Sequence, residues 1–204
     1  MKIRLLILIS IAIAATACTS KPAPRISKNS PAPGITSYES SGNLQSTHHI
    51  GCIAPDNIKD IYTPADLYPA IVKCVRKKQY RNAAFIFGLA GVYTRFDEQR
   101  VADTSSHDVT SVYMYRFGSI FSDSQKKQLF KSISAVMSNP HKLQTYCARI
   151  RKIGPPDYYP RYMVQHGMQA FTGEKSQGGL VKNFDPQKAW EKSLDTYLHC
   201  PGAK

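Results

Sequence analysis

The side chains that could do chemistry lie in scattered pairs and form no known catalytic motif. Asp97 and Glu98 offer two carboxylates, but adjacent positions on a helix do not face each other, so we expect them to act as charges near a helix start. His107 and Asp108 could be a histidine oriented by an acid, although a helix N-terminus is the simpler interpretation. The sequence contains no GxSxG, no HExxH and no phosphate-binding glycine loop. We therefore predict a protein that is not an enzyme, with a glycosidase-type carboxylate pair among its 14 acidic residues as the alternative.

Metal and cofactor binding are not indicated either. His48 and His49 could look like a metal-binding pair, but they lie in a polar stretch where adjacent histidines are usually solvated. Neither a CxxC nor a Cys/His cluster with zinc spacing occurs. We predict no metal and no cofactor.

The first twenty residues indicate export. Lys2 and Arg4 form a basic head before an apolar run over 5–17. At about 13 residues the run has the length of a signal-peptide core and is too short for a bilayer span of roughly 20 residues. No later stretch is apolar for long enough to span a bilayer, so the rest is predicted to be a soluble domain.

The apolar run ends in Ala15-Thr16-Ala17-Cys18. This ending resembles the lipobox of bacterial lipoproteins, although most lipoboxes carry Leu at the place of Ala15. The resemblance implies that 1–17 is a removed signal peptide and that Cys18 becomes an acylated first residue that anchors the protein to a membrane. Thr19 stands where inner-membrane retention usually has Asp, which implies the outer membrane, facing the periplasm. An ordinary secretory signal with an incidental Cys18 is the alternative.

Four cysteines follow the leader, and an even number in an exported chain indicates two disulfides. They are Cys52, Cys74, Cys147 and Cys200. Three connectivities are possible. We favour Cys147–Cys200 together with Cys52–Cys74, because a bridge at Cys200 would hold a terminus that would otherwise fray. Four buried free thiols are the alternative.

Composition divides the rest of the chain into a tether and a single domain. Residues 18–51 are predicted to be the lipidated cysteine and a flexible tether, because 19–51 is rich in Ser, Pro, Thr, Asn and Gly and has few large apolar residues. Residues 52–204 have helical periodicity from Ile58 onward and no convincing period-two strand. We predict an all-α domain of about six or seven helices in antiparallel hairpins, braced by disulfides.

Capping signals locate several of these helices. Thr63 with Asp66, and Ser122 with Gln125, form capping boxes. Proline at the first helical position marks two further starts. Seven helices are predicted. Five of them have only a predicted start, near Thr63, Ser106, Ser122, Pro140 and Asp185-Pro186. The other two are predicted over Arg81–Tyr93 and Arg161–Phe171.

Small and aromatic residues recur along the second predicted helix, at Tyr80, Ala83, Phe87 and Ala90. With Leu67 in the first helix, this spacing resembles a tetratricopeptide-type hairpin, in which alanines let two helices approach closely. Ala70 and Ile71 stand where that family has Leu and Gly, and no second copy follows. The resemblance implies fold and not function, and a generic antiparallel hairpin is the alternative.

The net charge of +13, from 27 basic and 14 acidic residues, restricts the class of partner. Nucleic acid is the usual partner of such a charge, but an exported protein meets little of it. Acidic proteins, anionic lipids and acidic cell-wall polymers are the partners that the predicted location offers, and we expect an acidic protein. Solvated helix faces are the alternative for the basic residues. They are Lys73, Arg76, Lys77, Lys78, Arg81, Lys126, Lys127, Lys131, Lys142, Arg149, Arg151 and Lys152.

Two segments mix tyrosine with arginine, the residue types that most often anchor protein interfaces. The first segment is 91–100 and the second is 157–162. Packing against the domain is the alternative for both. The candidate partner-binding residues are Tyr93, Arg95, Arg100, Tyr158, Tyr159, Arg161 and Tyr162.

The whole arrangement resembles the immunity lipoproteins that bind and block antibacterial secretion-system effectors. Those proteins are small, disulfide-bearing, single-domain periplasmic lipoproteins. The resemblance is one of architecture and implies a binding protein that neutralises a toxin. An envelope-assembly scaffold built on the helical hairpin is the alternative.

Overall fold

The computed structural model describes residues 26–32, 35–173 and 176–202. Within them the chain forms eight α-helices and one two-stranded sheet, which confirms the predicted all-α domain. The predicted signal peptide and Cys18 lie outside the described residues. The elements are β1 (Ile26–Ala32), β2 (Ile35–Ser40), α1 (Pro64–Arg76), α2 (Tyr80–Arg100), α3 (Val109–Gly118), α4 (Asp123–Met137), α5 (Pro140–Ile153), α6 (Arg161–Val164), α7 (Gln169–Thr172) and α8 (Pro186–Leu198).

The predicted capping signals are confirmed. Thr63 and Asp66 form a reciprocal capping box at the start of α1, and Ser122 and Gln125 form another at the start of α4. Asp185 caps α8 by accepting a hydrogen bond from the Lys188 backbone N–H. Each of these side chains satisfies a backbone donor that the first helical turn leaves without a partner.

Two helix boundaries differ from the prediction. Helix α2 continues past Tyr93 to Arg100, because the sequence there holds no proline and the Thr94 hydroxyl bonds back to the Ala90 carbonyl at 2.8 Å. The single helix predicted over Arg161–Phe171 is divided into α6 and α7. Between them, Asp103 packs where a side chain at Gly167 would collide with it.

The core is built around the antiparallel hairpin of α1 and α2, against which α4 and α8 also pack. Ala83 and Ala90 are fully buried, so the two backbones approach closely. Two glycines of α2 admit aromatic rings from other helices: Tyr146 of α5 lies against Gly88, and Tyr197 of α8 against Gly91. A methyl group at either glycine would overlap the ring that faces it.

Both predicted disulfides are present. Cys52–Cys74 joins the segment before α1 to α1 itself, and Cys147–Cys200 joins α5 to the chain beyond α8. Cys200 is buried at 3% exposure, so the bridge holds the end of the described chain against the core. The alternative of four buried free thiols is therefore wrong.

The segment before the helices differs from the predicted tether. Strands β1 and β2 pair antiparallel, with Ile26 opposite Ser40, and Leu44 lies in the core cluster. Composition argued against order here because few apolar residues are present. Polar bonding supplies the order instead: the buried Asp66 carboxylate accepts hydrogen bonds from the backbone N–H groups of Thr47 and His48, at 2.6 and 2.7 Å.

Candidate binding surfaces

Three of the predicted partner-binding residues converge inside the molecule on Asp97. Its carboxylate is fully buried and accepts hydrogen bonds from the hydroxyls of Tyr158 and Tyr162 at 2.9 and 2.7 Å. Arg100 donates from Nε to the other carboxylate oxygen at 2.7 Å. Burial raises the pKa of Asp97, and the Arg100 guanidinium and the two hydroxyls oppose that rise. The cluster ties the end of α2 to the segment before α6.

The structure therefore places several members of this set in the interior rather than on an exposed surface. Tyr93 and Tyr162 are at most 1% exposed, and the Arg100 side chain is 11% exposed. Tyr93 donates to the Gly154 carbonyl at 3.0 Å, which links α2 to the end of α5. Tyrosine and arginine suit buried polar networks as well as interfaces, and the residue types alone do not separate the two uses.

The prediction that Asp97 and Glu98 lie near a helix start is wrong, because both residues lie in the last turns of α2. Glu98 forms an ion pair with Arg95 at a distance of 2.7 Å between the carboxylate and the guanidinium, and the Arg95 side chain is half exposed. The adjacent carboxylates thus serve separate partners, one in the core and one at the surface. Geometry of this kind does not suit a shared proton.

The other exposed candidates do not form a common site. Tyr159 is 48% exposed and donates its hydroxyl proton to the Gly178 carbonyl. Arg161 lies along the surface beside Gly42. These two residues and Arg95 remain available to a partner, but no described contact joins them.

His107 and Asp108 lie at the start of α3, where a helix N-terminus was the simpler interpretation, and no described contact joins their side chains. His107 lies 3.3 Å from the Val101 carbonyl. Asp108 instead pairs with His166, whose Nε2 lies 3.1 Å from the carboxylate. The other ring nitrogen of His166 lies 2.8 Å from the Asn43 side-chain oxygen. His166, which lies just after α6, thus contacts the segment after β2 through one ring nitrogen and the start of α3 through the other.

A basic groove of about 430 Å³ lies between α2, α4 and α5. Arg81 stands at its α2 side, while Lys142 and Arg149 come from α5. The guanidinium of Arg149 lies 5.6 Å from the centre of the Phe85 ring at the base. None of the described residues that line the groove is acidic, although Arg149 also pairs with Asp56 beside it, at 2.9 Å. The groove therefore offers positive charge around an aromatic floor.

A second surface, the α3–α4 face, is apolar. Its exposed apolar side chains are those of Met114 and Tyr115 on α3, Ile120 in the turn after α3, and Phe130 and Met137 on α4, and they are between 36% and 81% exposed. Beneath it, an apolar cavity of about 150 Å³ separates α3 and α4 from α1 and α2, with Lys126 as its charged lining residue. Helix α4 buries a single residue, Leu129. This part of the fold leaves apolar surface in contact with solvent.

Sequence reasoning missed both surfaces for identifiable reasons. Arg81, Lys142 and Arg149 were recognised as basic, but their convergence on Phe85 depends on how three helices pack. Phe130 had a signal that could have been used. It lies outside the core-facing stripe of Leu129, Ile133 and Val136, and a large aromatic residue off the core-facing stripe of a helix indicates a contact surface.

No protein-family model matches the chain, and neither the curated proteins nor the solved structures give a significant match. In the described ranges, no helix is long and apolar enough to cross a membrane. The same ranges hold no group of three or more His, Cys, Asp or Glu side chains that could bind a metal ion.

Proposed function

We propose that the protein is a lipid-anchored periplasmic binding protein that neutralises an acidic protein, most simply as an immunity protein against an antibacterial secretion-system effector. The observation that carries this proposal is the basic groove. It combines three basic side chains with an apolar floor, as the rim and core of a protein interface do.

Charge complementarity supports an acidic partner. Removal of the leader takes Lys2 and Arg4 from the net charge of +13, and the large positive charge that remains attracts an acidic surface and speeds encounter, while a basic competitor is repelled. Within the groove, the guanidinium groups of Arg81 and Arg149 can each bind a carboxylate through bidentate hydrogen bonds, and the Lys142 ammonium adds a point charge. The groove therefore takes the place of the predicted anchors that the structure buries.

The anchor follows from the resemblance of Cys18 and its leader to a lipobox. An acylated Cys18 would keep the binding domain on the membrane. The two disulfides suit a protein that works where thiols are oxidised.

The test is a co-culture experiment in the source bacterium. A strain that lacks this gene should be killed by its unmodified siblings, and a wild-type copy should restore protection. Arg81→Glu combined with Lys142→Glu should not restore it, because the groove then repels the partner. The matched control is Lys188→Glu with Lys192→Glu, which reverses two exposed charges on α8 and should protect fully.

Three outcomes would contradict the proposal. Unharmed deletion cells with envelope defects would indicate the scaffold alternative. Equal failure of groove and control variants at equal protein levels would mean that total charge matters and the groove does not. If the Cys18→Ser variant protects as well as the wild type, at equal protein levels and without partitioning into membranes, the lipid anchor is not needed for the function.

A further inference from the structure

The α3–α4 face gathers exposed apolar side chains more densely than the rest of the described chain. The described residues include nine large apolar residues that are well exposed, and five of the nine lie in the range from Met114 to Met137. Large exposed apolar patches are rare on soluble monomers and usually mark an interaction surface. The remaining four are dispersed over the sequence as Ile26, Tyr38, Tyr159 and Met168.

Basic side chains accompany these apolar residues on both helices. Lys126 lines the apolar cavity together with Met114 and Phe130, and Lys127 lies one helical turn before Phe130. Arg116 on α3 and Lys131 on α4 are their exposed neighbours in the sequence. Two acidic side chains lie nearby: Asp123 is 3.5 Å from Lys126, and Glu39 is 3.8 Å from Arg116. The face therefore keeps an excess of positive charge around apolar and aromatic groups.

We propose that the α3–α4 face binds the surface of an anionic phospholipid bilayer. Apolar and aromatic side chains at the centre of such a face insert between headgroups, and lysine and arginine around them bind phosphate groups. A bilayer presents a continuous negative surface, which suits basic residues that lie on the same two helices as exposed apolar side chains. The basic groove, by contrast, is concave and suits an acidic segment of a protein.

The proposal does not depend on the acidic partner, and it has a structural consequence. A domain that binds the bilayer through α3 and α4 lies against the membrane rather than standing away from it on a tether. Helix α4 can accept lipid contacts without loss of the core, because it contributes only Leu129 to the buried residues.

Tryptophan fluorescence in vesicles tests the contact directly. The native Trp190 is 4% exposed and gives a constant buried background. Phe130→Trp places a second reporter on the α3–α4 face, at a position that is 55% exposed. Met168→Trp is the matched control, at a position that is 62% exposed and outside this face. The full chain of each variant is reconstituted in vesicles whose lipids carry bromine on the acyl chains.

We expect brominated vesicles of phosphatidylglycerol and phosphatidylcholine to reduce the emission of the added tryptophan in Phe130→Trp at least twofold. Vesicles of brominated phosphatidylcholine alone should reduce it much less, and Met168→Trp should change little in either. Adding Lys127→Glu and Lys131→Glu to Phe130→Trp should abolish the quenching. Circular dichroism and thermal unfolding establish that each variant is folded.

Equal quenching of the Phe130→Trp and Met168→Trp reporters would overturn the proposal, because no face would then be preferred. Equal quenching of Phe130→Trp by neutral and anionic vesicles would remove the role of the basic residues. An unquenched Phe130→Trp in anionic vesicles would assign the face to a protein contact instead. None of these results bears on the co-culture experiment, so the two proposals fail separately.

Discussion

The helices α1 and α2 differ from α3 and α4 in how their apolar residues are used. Helix α1 buries ten of its 13 residues and α2 buries 13 of 21, whereas α4 buries one of 15. The buried carboxylates Asp66 and Asp97 belong to α1 and α2, and one disulfide ends on α1. Helices α3 and α4, with the turn between them, instead hold five of the nine exposed large apolar side chains of the described residues.

This difference separates stability from recognition within one small domain. Burial and internal hydrogen bonds provide the free energy of folding in the first pair of helices. The second pair is attached by few buried residues, and segments of that kind are where proteins open locally and bind partners. Substitutions should therefore act on unfolding in the first region and on the proposed bilayer contact in the second.

Removal of the Cys147–Cys200 bridge should have the largest effect on stability. Cys147→Ser with Cys200→Ser opens a loop of 53 residues, which in the chain-entropy model costs about 4 kcal/mol. The Cys52–Cys74 bridge, with a separation of 22 residues, should cost about 3 kcal/mol when replaced in the same way. Urea unfolding of both variants measures these losses. A loss below about 1 kcal/mol for the longer loop would show that stability does not depend on the bridged ends.

Asp97→Ala should be the next most damaging change. It leaves Arg100 without its carboxylate partner and removes the acceptor of the Tyr158 and Tyr162 hydroxyls. Breaking a buried ion pair from one side costs about 3 kcal/mol or more, because the remaining charge stays buried. Asp123→Ala is the control, since that carboxylate is fully exposed and should change the free energy of unfolding by less than about 0.5 kcal/mol. Similar losses for the two variants would contradict the division between the helix pairs.

The sequence predicts local features of the fold much better than contacts between distant segments. Capping boxes at Thr63 and Ser122, proline at first helical positions and the even cysteine count are local signals, and local signals determine helix starts and bridges. The Asp97 cluster depends on contacts between residues 61 and 65 positions apart. Periodicity along one helix contains no information about such partners, so Tyr158 and Tyr162 were assigned to the surface.

The segment before α1 shows a second limit of composition. Its residues are polar, and polar segments are usually disordered because they bury too little apolar area. One buried carboxylate changes that outcome. Ser46, Thr47 and His48 all bond to Asp66, which also caps α1. Order here depends on a helix that begins 16 or more residues later, and no local signal in the segment reports it.

Asp66→Asn tests this second cluster through its pH dependence. Burial alone would raise the pKa of Asp66, but hydrogen bonds from His48, Thr63 and Ser46 hold it below its ordinary value of 3.8. A lowered pKa stabilises the fold above about pH 4, and that stability is lost as the pH falls through the folded-state pKa. We expect a loss of about 1–2 kcal/mol at pH 7, in the range of a lost helix cap.

The loss in Asp66→Asn should shrink as the pH falls below 4, because the wild-type carboxyl is then protonated too. Urea unfolding at pH 7 and at successively lower pH measures the difference. Asp195→Asn is the matched control, since Asp195 is exposed on α8. A loss that is independent of pH would show that the carboxylate charge does not matter to the cluster.

Phe130→Ala should have the smallest effect on unfolding, and its size decides whether the α3–α4 face belongs to the core. The ring is 55% exposed, so its removal should change the free energy of unfolding by less than about 0.5 kcal/mol. Leu89→Ala on α2 is the contrast, because Leu89 is fully buried and its loss should cost about 2–5 kcal/mol. Both values come from urea unfolding under one set of conditions. A cost above about 1.5 kcal/mol for Phe130→Ala would mean that the ring packs into the fold, and the aromatic group would then not be free to contact a bilayer.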